Sequence, residues 1–416
     1  MSHPRRSLGA IVALLGWATI ASGRLDAQDS PSPAVSAKPW NEFSTDWVAL
    51  QLHTTLMEDG ALFSQNAASV SQVGAVADAQ EFRVSRLQLN GQLTAPFPWS
   101  FEVNAGYNGL DQNNGEANWT IADLWVAVPL GRFATVTVGE QESGVGMERL
   151  SHGEDLSFME RSTMSEAYKK SHELGVRFTG TAAGDRMTWS AGWFNNWLTD
   201  DLSFDESGNS YAGRVTGLAV DDDGGRQLLH LGVSAAWAQA QNGSVQARSR
   251  PEVRQSPYFV DTGSFDANHS LGLGFELAAV KGPVTVAAEY TLTDTSTPAS
   301  GNARFDGWYV SASWVLTGEV RPYEHANGYF GRITPDSPLS FSHGGLGAFE
   351  LAARYSFIDL SSRSIQGGTF DRWTGALSWY PSKWGRLEFD YGYGRLQRSG
   401  VTGLTRFYQL RFQFEI

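Results

Sequence analysis

Arginines at even spacing are the residues of this chain best suited to do chemistry. Arg248, Arg250 and Arg254 fall in RSRPEV (248–253) and one residue beyond it. An extended backbone would turn all three guanidinium groups to one side. Each is planar, permanently charged and able to hold two oxygens at once, which suits phosphate and other oxyanions. A row of them along a narrow water path would pass an anion onward without trapping it. A plain solvated charged loop fits the same residues. Arg86, Arg177, Arg214, Arg354, Arg386 and Arg411 share the polar parity of alternating stretches, but so do Glu102, Glu173, Glu276, Glu289, Glu350, Glu388, Asp390 and Glu415. Acids outnumber arginines in that set, so a cation-tolerant or weakly selective path fits the count equally well.

Other chemistry finds little support. The chain has no cysteine, which removes thiolate metal sites, disulfides and thiol nucleophiles together. Histidines at 53, 152, 172, 230, 269, 325 and 343 are scattered, and none lies in an HExxH or GxSxG pattern. The GVG at 144–146 lacks the strand, helix and third glycine of a phosphate-binding turn and reads as a loop. Neither a catalytic centre nor a metal or other cofactor is expected. A formal charge of −13 argues against a nucleic-acid partner.

The elements that must position these arginines alternate. In FYQLRFQFEI (407–416), Tyr408, Leu410, Phe412, Phe414 and Ile416 share one parity and Gln409, Arg411, Gln413 and Glu415 the other. WSFEVNAGYN (99–108), MTWSAGWFNNW (187–197) and WYVSASWVL (308–316) repeat the pattern, with Trp and Tyr near strand ends as in a membrane-interface belt. Sixteen such stretches are readable, near residues 46, 82, 99, 120, 133, 173, 186, 211, 228, 270, 284, 307, 347, 372, 385 and 406. Short turn-like links (APFP, PLGR, AAGD, DDDGGR, KGP, PSKWG) alternate with longer ones at 57–80, 142–171 and 240–269. The expectation is an all-β, 16-stranded antiparallel transmembrane barrel of the outer membrane, closed by pairing the last strand with the first. A soluble β-sandwich also alternates, but favours Val, Ile and Leu over this much Trp and Tyr.

Residues 1–27 read as an export signal, with Arg5 and Arg6 ahead of an apolar run that is too short to span a membrane comfortably. A cut after Ala27 or after Gly23 fits the small residues there; cutting after Ala27 removes three arginines and Asp26, taking the charge from −13 to −15. Residues 28–45 then form a periplasmic lead-in and 46–416 the barrel. The stretch 318–345 falls on the short-link side yet is long, so it folds into the lumen or a strand is miscounted. Asp200, Asp201, Asp205 and Glu206 crowd one outer loop, either bridging divalent cations to lipopolysaccharide or simply solvated.

Several motifs in order resemble the phosphate-selective porin family, the porin O and P group: FRVSRLQLNGQL (82–93), DLSFMERS (155–162), HLGVSAAW (230–237), RSRPEV with VDTG (260–263), GWYVSASWVLTGEVRPY (307–323) and GAFELAARYSFIDL (347–360). The resemblance implies a channel, usually trimeric, in contact with outer-membrane lipid and lipopolysaccharide. Constricting segments would lie at 142–171, 240–269 and 318–345, and phosphate or other small anions would be the solutes. The candidate pore set is Arg86, Arg161, Arg177, Arg248, Arg250, Arg254, Arg321 and Arg354. Arg161 either braces its loop with Glu160 or faces the pore. One departure is notable: where the family reads like GQFK-x-PFG-x-E, this chain has GEQESGVGME, placing Glu142 at the lysine position and Gly144 at the proline position. A carboxylate there opposes anion passage. Two further readings remain open, a weakly selective or cation-tolerant general porin and a plugged structural or adhesive barrel.

Overall fold

The computed structural model describes residues 40–416 apart from 95–96, 109, 111–117, 169–171, 197–207 and 299–300. The signal stretch, most of the lead-in and the acidic cluster Asp200, Asp201, Asp205 and Glu206 lie outside the described residues. Alternating polar and apolar side chains with many β-branched and aromatic residues favour strands over helices. Sixteen long ones form. They are β1 Val48–Gln65, β2 Ala79–Leu93, β3 Ser100–Tyr107, β4 Trp119–Leu130, β5 Ala134–Glu142, β6 His172–Ala182, β7 Met187–Phe194 and β8 Ser210–Asp222. The second half comprises β9 Gln227–Gln239, β10 His269–Lys281, β11 Val284–Ser296, β12 Ala303–Val315, β13 Ala348–Ser362, β14 Ile365–Ser382, β15 Gly385–Arg398 and β16 Val401–Glu415.

Every strand pairs antiparallel with its neighbour in sequence, and β16 returns to β1 from Thr55↔Glu415 to Gln65↔Thr405. The barrel is therefore closed. A short piece, Glu42–Ser44, continues beyond the end of β16 along the lower half of β1. All sixteen strands fall where the alternation places them.

Parity separates two environments. Along β16 the side chains of Phe407, Gln409, Arg411 and Gln413 are buried inside, while Tyr408, Leu410 and Phe412 are exposed outside. Trp314 and Trp384 likewise face outward near strand ends, and Trp373 does so in the middle of β14. The inside is not uniformly polar, because Phe370 and Phe407 point inward and pack with Val253, Phe259 and Ile358. At one end of the barrel, links such as 131–133, 183–186 and 282–283 are tight. The opposite end carries the longer loops, with two exceptions. Arg363–Ser364 and Ser399–Gly400 are two-residue turns, with φ of +55° at Arg363, +50° at Ser399 and +77° at Gly400, the left-handed backbone that tight hairpins need.

If hydrocarbon covers the outer face, Leu410→Arg at mid-height of β16 should cost about 2–4 kcal/mol. Denaturant unfolding in phospholipid vesicles measures this, and an unchanged midpoint would contradict the lipid-facing placement.

Candidate pore constriction

Inside the barrel, wall charges meet chain that has folded inward. A short helix, α1 (Ala67–Val73), lies in the link 66–78, and the link 143–171 carries α2 (Met147–Leu150) and α3 (Thr163–Tyr168). Its backbone is caught by wall carboxylates: Glu289 on β11 accepts from the Met147 and Glu148 amides at 3.1 and 2.6 Å, and Asp390 on β15 from the Met159 amide at 3.1 Å. Within the loop, the Glu148 carboxylate accepts from the Ser162 amide and hydroxyl and from the Ser165 hydroxyl. Arg354 of β13 donates to the same carboxylate at 3.0 Å. Arg411 of β16 donates to both Asp59 oxygens at 2.7 Å, to the Met159 carbonyl at 2.6 Å and to Glu160 at 3.2 Å. Such charge-assisted bonds are the strong ones.

Two more segments are held in the same way. In 240–268, Glu252 adopts φ +61° and its buried carboxylate accepts from Arg354 at 2.6 Å, Ser356 at 2.5 Å and Thr374 at 3.2 Å. Arg372 lies 3.6 Å from that carboxylate and donates to the Pro251 carbonyl. In 316–347, Arg321 donates to Glu350 at 2.7 and 2.9 Å, to Ser157 and to the Asp155 carbonyl. Arg214 of β8 grips Glu276 at 2.9 and 2.7 Å and also donates to the Asn327 and Gly328 carbonyls. Gly328, at φ +71°, sits so close to this wall that an added Cβ would stand 2.8 Å from the Thr216 hydroxyl. No strand was miscounted; the long link turns back against inward wall residues.

Beside them lies a cavity of about 710 Å³ bordered by β1 to β8, the link 143–171, Arg254, residues 326–329 and Arg411 of β16. Among the described residues, eight arginines and six carboxylates line it. Arg86 reaches it while pairing with Glu154 at 3.1 Å, and Arg177 while donating to the Glu142 carbonyl. Arg161 borders it too, and its bracing partners are the Glu148 and Ser151 carbonyls, whereas Glu160 pairs with Arg83 and Arg411. Glu142 lines the cavity paired with Arg149 at 3.2 Å, so part of its charge is compensated. Arg321 and Arg354 are buried in the ion pairs above and lie away from it.

The three evenly spaced arginines do not share one face. Arg248 and Arg250 place their guanidinium carbons 4.2 and 4.1 Å from the Tyr258 ring centre, and Arg250 also pairs with Glu166 at 2.8 Å. The chain then turns at Glu252, and Arg254 alone of the three borders the cavity. Arg83 and Arg149 also line the cavity, and strand parity points to neither. Arg83 occupies a bulge, since Met57 pairs with Val84 and Glu58 with Phe82, which swings an odd-numbered residue inward beside the even-numbered Arg86. Arg149 lies on α2, where strand parity says nothing.

The loop's charges are tuned by their neighbours. Burial favours the neutral form of Glu160, but Arg83, then Arg411 and Arg254, outweigh it and hold the pKa at about 2. Burial, with Arg161 nearby, lowers Arg149 to about 10. Burial disfavours charge on His152, yet Glu154, Asp155 and Glu142 more than offset it and raise its pKa above the ordinary value.

A closed 16-stranded barrel with outward aromatics, inward charges and lumen-folded links defines an outer-membrane porin. The chain belongs to the phosphate-selective porin O and P family, whose model matches residues 62–416. It is 30% identical over 338 residues to a protein of Caulobacter vibrioides described only as uncharacterised, covering 78% of this chain and 64% of that one. The chain thus spans just under two thirds of that relative's length. It is 25% identical over 337 residues to Porin O of Pseudomonas aeruginosa, covering 73% of this chain and 71% of the relative. Among solved structures it shares the fold of an anion-selective porin from Comamonas acidovorans, with a TM-score of 0.55 and 13% identity over 88% of this chain and all of the other. The protein resides in the bacterial outer membrane.

Glu252→Ala should leave Arg372 without a carboxylate and Arg354 with only Glu148, costing about 3–5 kcal/mol. Unfolding in vesicles would read the loss, and single-channel recording a larger, noisier conductance as 240–268 comes away from the wall. Because the folded pKa of Glu160 is depressed, its stabilisation is complete above its ordinary value of about 4.5 and is lost as pH falls toward about 2. Current noise should therefore rise between pH 4.5 and 2. Glu160→Gln should be noisy already at neutral pH and flat across that window.

Proposed function

We propose that this porin lets small hydrophilic solutes diffuse passively across the outer membrane, with a preference for anions such as phosphate. The observation that carries this reading is the lining of the lumen cavity, eight arginines against six carboxylates, in a closed barrel. The family description and the anion-selective porin with the same fold support it. In this reading the inward segments 142–171, 240–269 and 318–345 form the constriction. The tight-turn end faces the periplasm, and an export signal at residues 1–27 precedes a lead-in at 28–45. Arg86, Arg161, Arg177 and Arg254 meet the passing ion. Arg321 and Arg354 hold the constriction in place, and Arg248 and Arg250 brace 240–269 through Tyr258 and Glu166. A homotrimer surrounded by outer-membrane lipid and lipopolysaccharide is the proposed assembly. Passage needs no catalytic group, cofactor or metal.

The second reading, a weakly selective or cation-tolerant pore, is favoured by one observation. Glu142, Glu154, Glu160 and Glu166 border the same cavity, and the first three pair with Arg149, Arg86 and Arg83 there.

Reversal potential across a salt gradient in a planar bilayer distinguishes these readings. Anion preference should appear with both chloride and phosphate. Replacing Arg254 and Arg177 by Gln should reduce it a few-fold, as expected for losing an interaction of about 1 kcal/mol with the ion. Cation preference in the parent protein would overturn the anion reading, and absence of any conductance steps would leave a plugged structural or adhesive barrel.

A further inference from the structure

The link 316–347 has a second feature that the pore does not use. After Asp336 it leaves the lumen and forms a finger at the tight-turn end, closed by a Ser340↔Gly345 bridge. Phe341 at its tip is 97% exposed, Leu346 67% and Leu339 37%. From Ser337 to Ala348 the sequence SPLSFSHGGLGA contains no Asp, Glu, Lys or Arg. Four other turns at this end carry charge, at Arg132, Asp185, Arg226 and Lys383, whereas 94–99 and 282–283 carry none. A water-exposed turn has no reason to discard every charge and present Phe and Leu instead.

The finger's position shows what it meets. Its base is tied to the end of β14, where the Leu339 amide donates to the Pro381 carbonyl at 2.7 Å. The Trp379 indole, on the outward face of the barrel, donates to the Leu346 carbonyl at 2.8 Å. Trp379 stacks on Phe349, 6.1 Å between ring centres at 15°, and Trp314, Leu316 and Trp384 lie exposed on the same rim. The finger is thus continuous with the outward aromatic belt, whose neighbour is lipid.

We propose that Leu339, Phe341 and Leu346 insert into the lipid leaflet at the tight-turn end, where headgroups meet acyl chains. The finger is an anchor that fixes the height of the barrel in the bilayer, next to the link that narrows the pore. An apolar group at this boundary settles about 5–10 Å deep.

Because the chain has no cysteine, Phe341→Cys supplies a single thiol in the otherwise unaltered protein. A nitroxide there, in vesicles of phosphatidylethanolamine and phosphatidylglycerol, reports collisions with oxygen, which concentrates in lipid, and with a nickel chelate, which stays in water. Asp185→Cys, in the β6–β7 turn at the same end, gives the aqueous reference. The expected result is nickel collision several-fold below that reference with oxygen collision above it, repeated at Leu346→Cys. Nickel collision equal to the reference at both positions would overturn the proposal. Low collision with both reagents, together with spin–spin broadening that disappears on dilution with unlabelled protein, would overturn it in favour of a second copy of the chain.

Discussion

A peptide group that enters hydrocarbon without a hydrogen-bond partner is too costly to tolerate, and the architecture of this protein follows from that constraint. Pairing β16 to β1 leaves no free edge along the sheet. Once the cylinder is closed, the two-residue period of a strand divides every side chain between lipid and lumen. The outer half is satisfied by Leu, Val and aromatic residues. The inner half collects the arginines and carboxylates of sixteen strands in a confined space.

Concentrated charge in that space organises whatever enters it. A guanidinium removed from bulk water is tolerated only with a carboxylate and further acceptors around it. The wall supplies some of these and the inward segments supply the rest. Arg354 on β13 binds Glu148 of one segment and Glu252 of another. Arg321 from the third binds Glu350 on the wall and Ser157 in the first. The three segments and the wall therefore form one ionic lattice, with an apolar cluster around Phe259 and Phe407 filling part of the loop end. Each segment helps to fix the others.

The strands were legible in the sequence because lipid and water impose opposite demands on neighbouring residues, and that contrast survives in every segment, including the final one. The long link after β12 was legible as an anomaly for the same reason, since nothing in the barrel itself calls for a 32-residue connection there. Site residues were harder to read. Parity finds Arg86, Arg177 and Arg214 on the lumen side, but a single bulge admits Arg83 as well. Even spacing puts Arg248 and Arg250 together, yet a positive φ at Glu252 separates Arg254 from them. Such local departures depend on contacts between segments far apart in sequence, which periodicity does not encode.

The sign of the lumen shows why counting charges along the chain misleads. On the inward parity acids outnumber arginines, yet around the cavity arginines outnumber acids. The difference comes from where the acids are used. Glu276, Glu289 and Glu350 on the wall and Glu252 on the inward link are taken up by guanidinium groups or by the backbone of folded segments, and lie away from open water. Arg254 has no hydrogen-bond partner among the described residues and stays at the cavity, as does the half-compensated Arg177. A narrow path responds to the charges that line it more than to the total on its walls. Folding thus changes the field inside the barrel by choosing which charges are consumed in holding the inward segments to the wall.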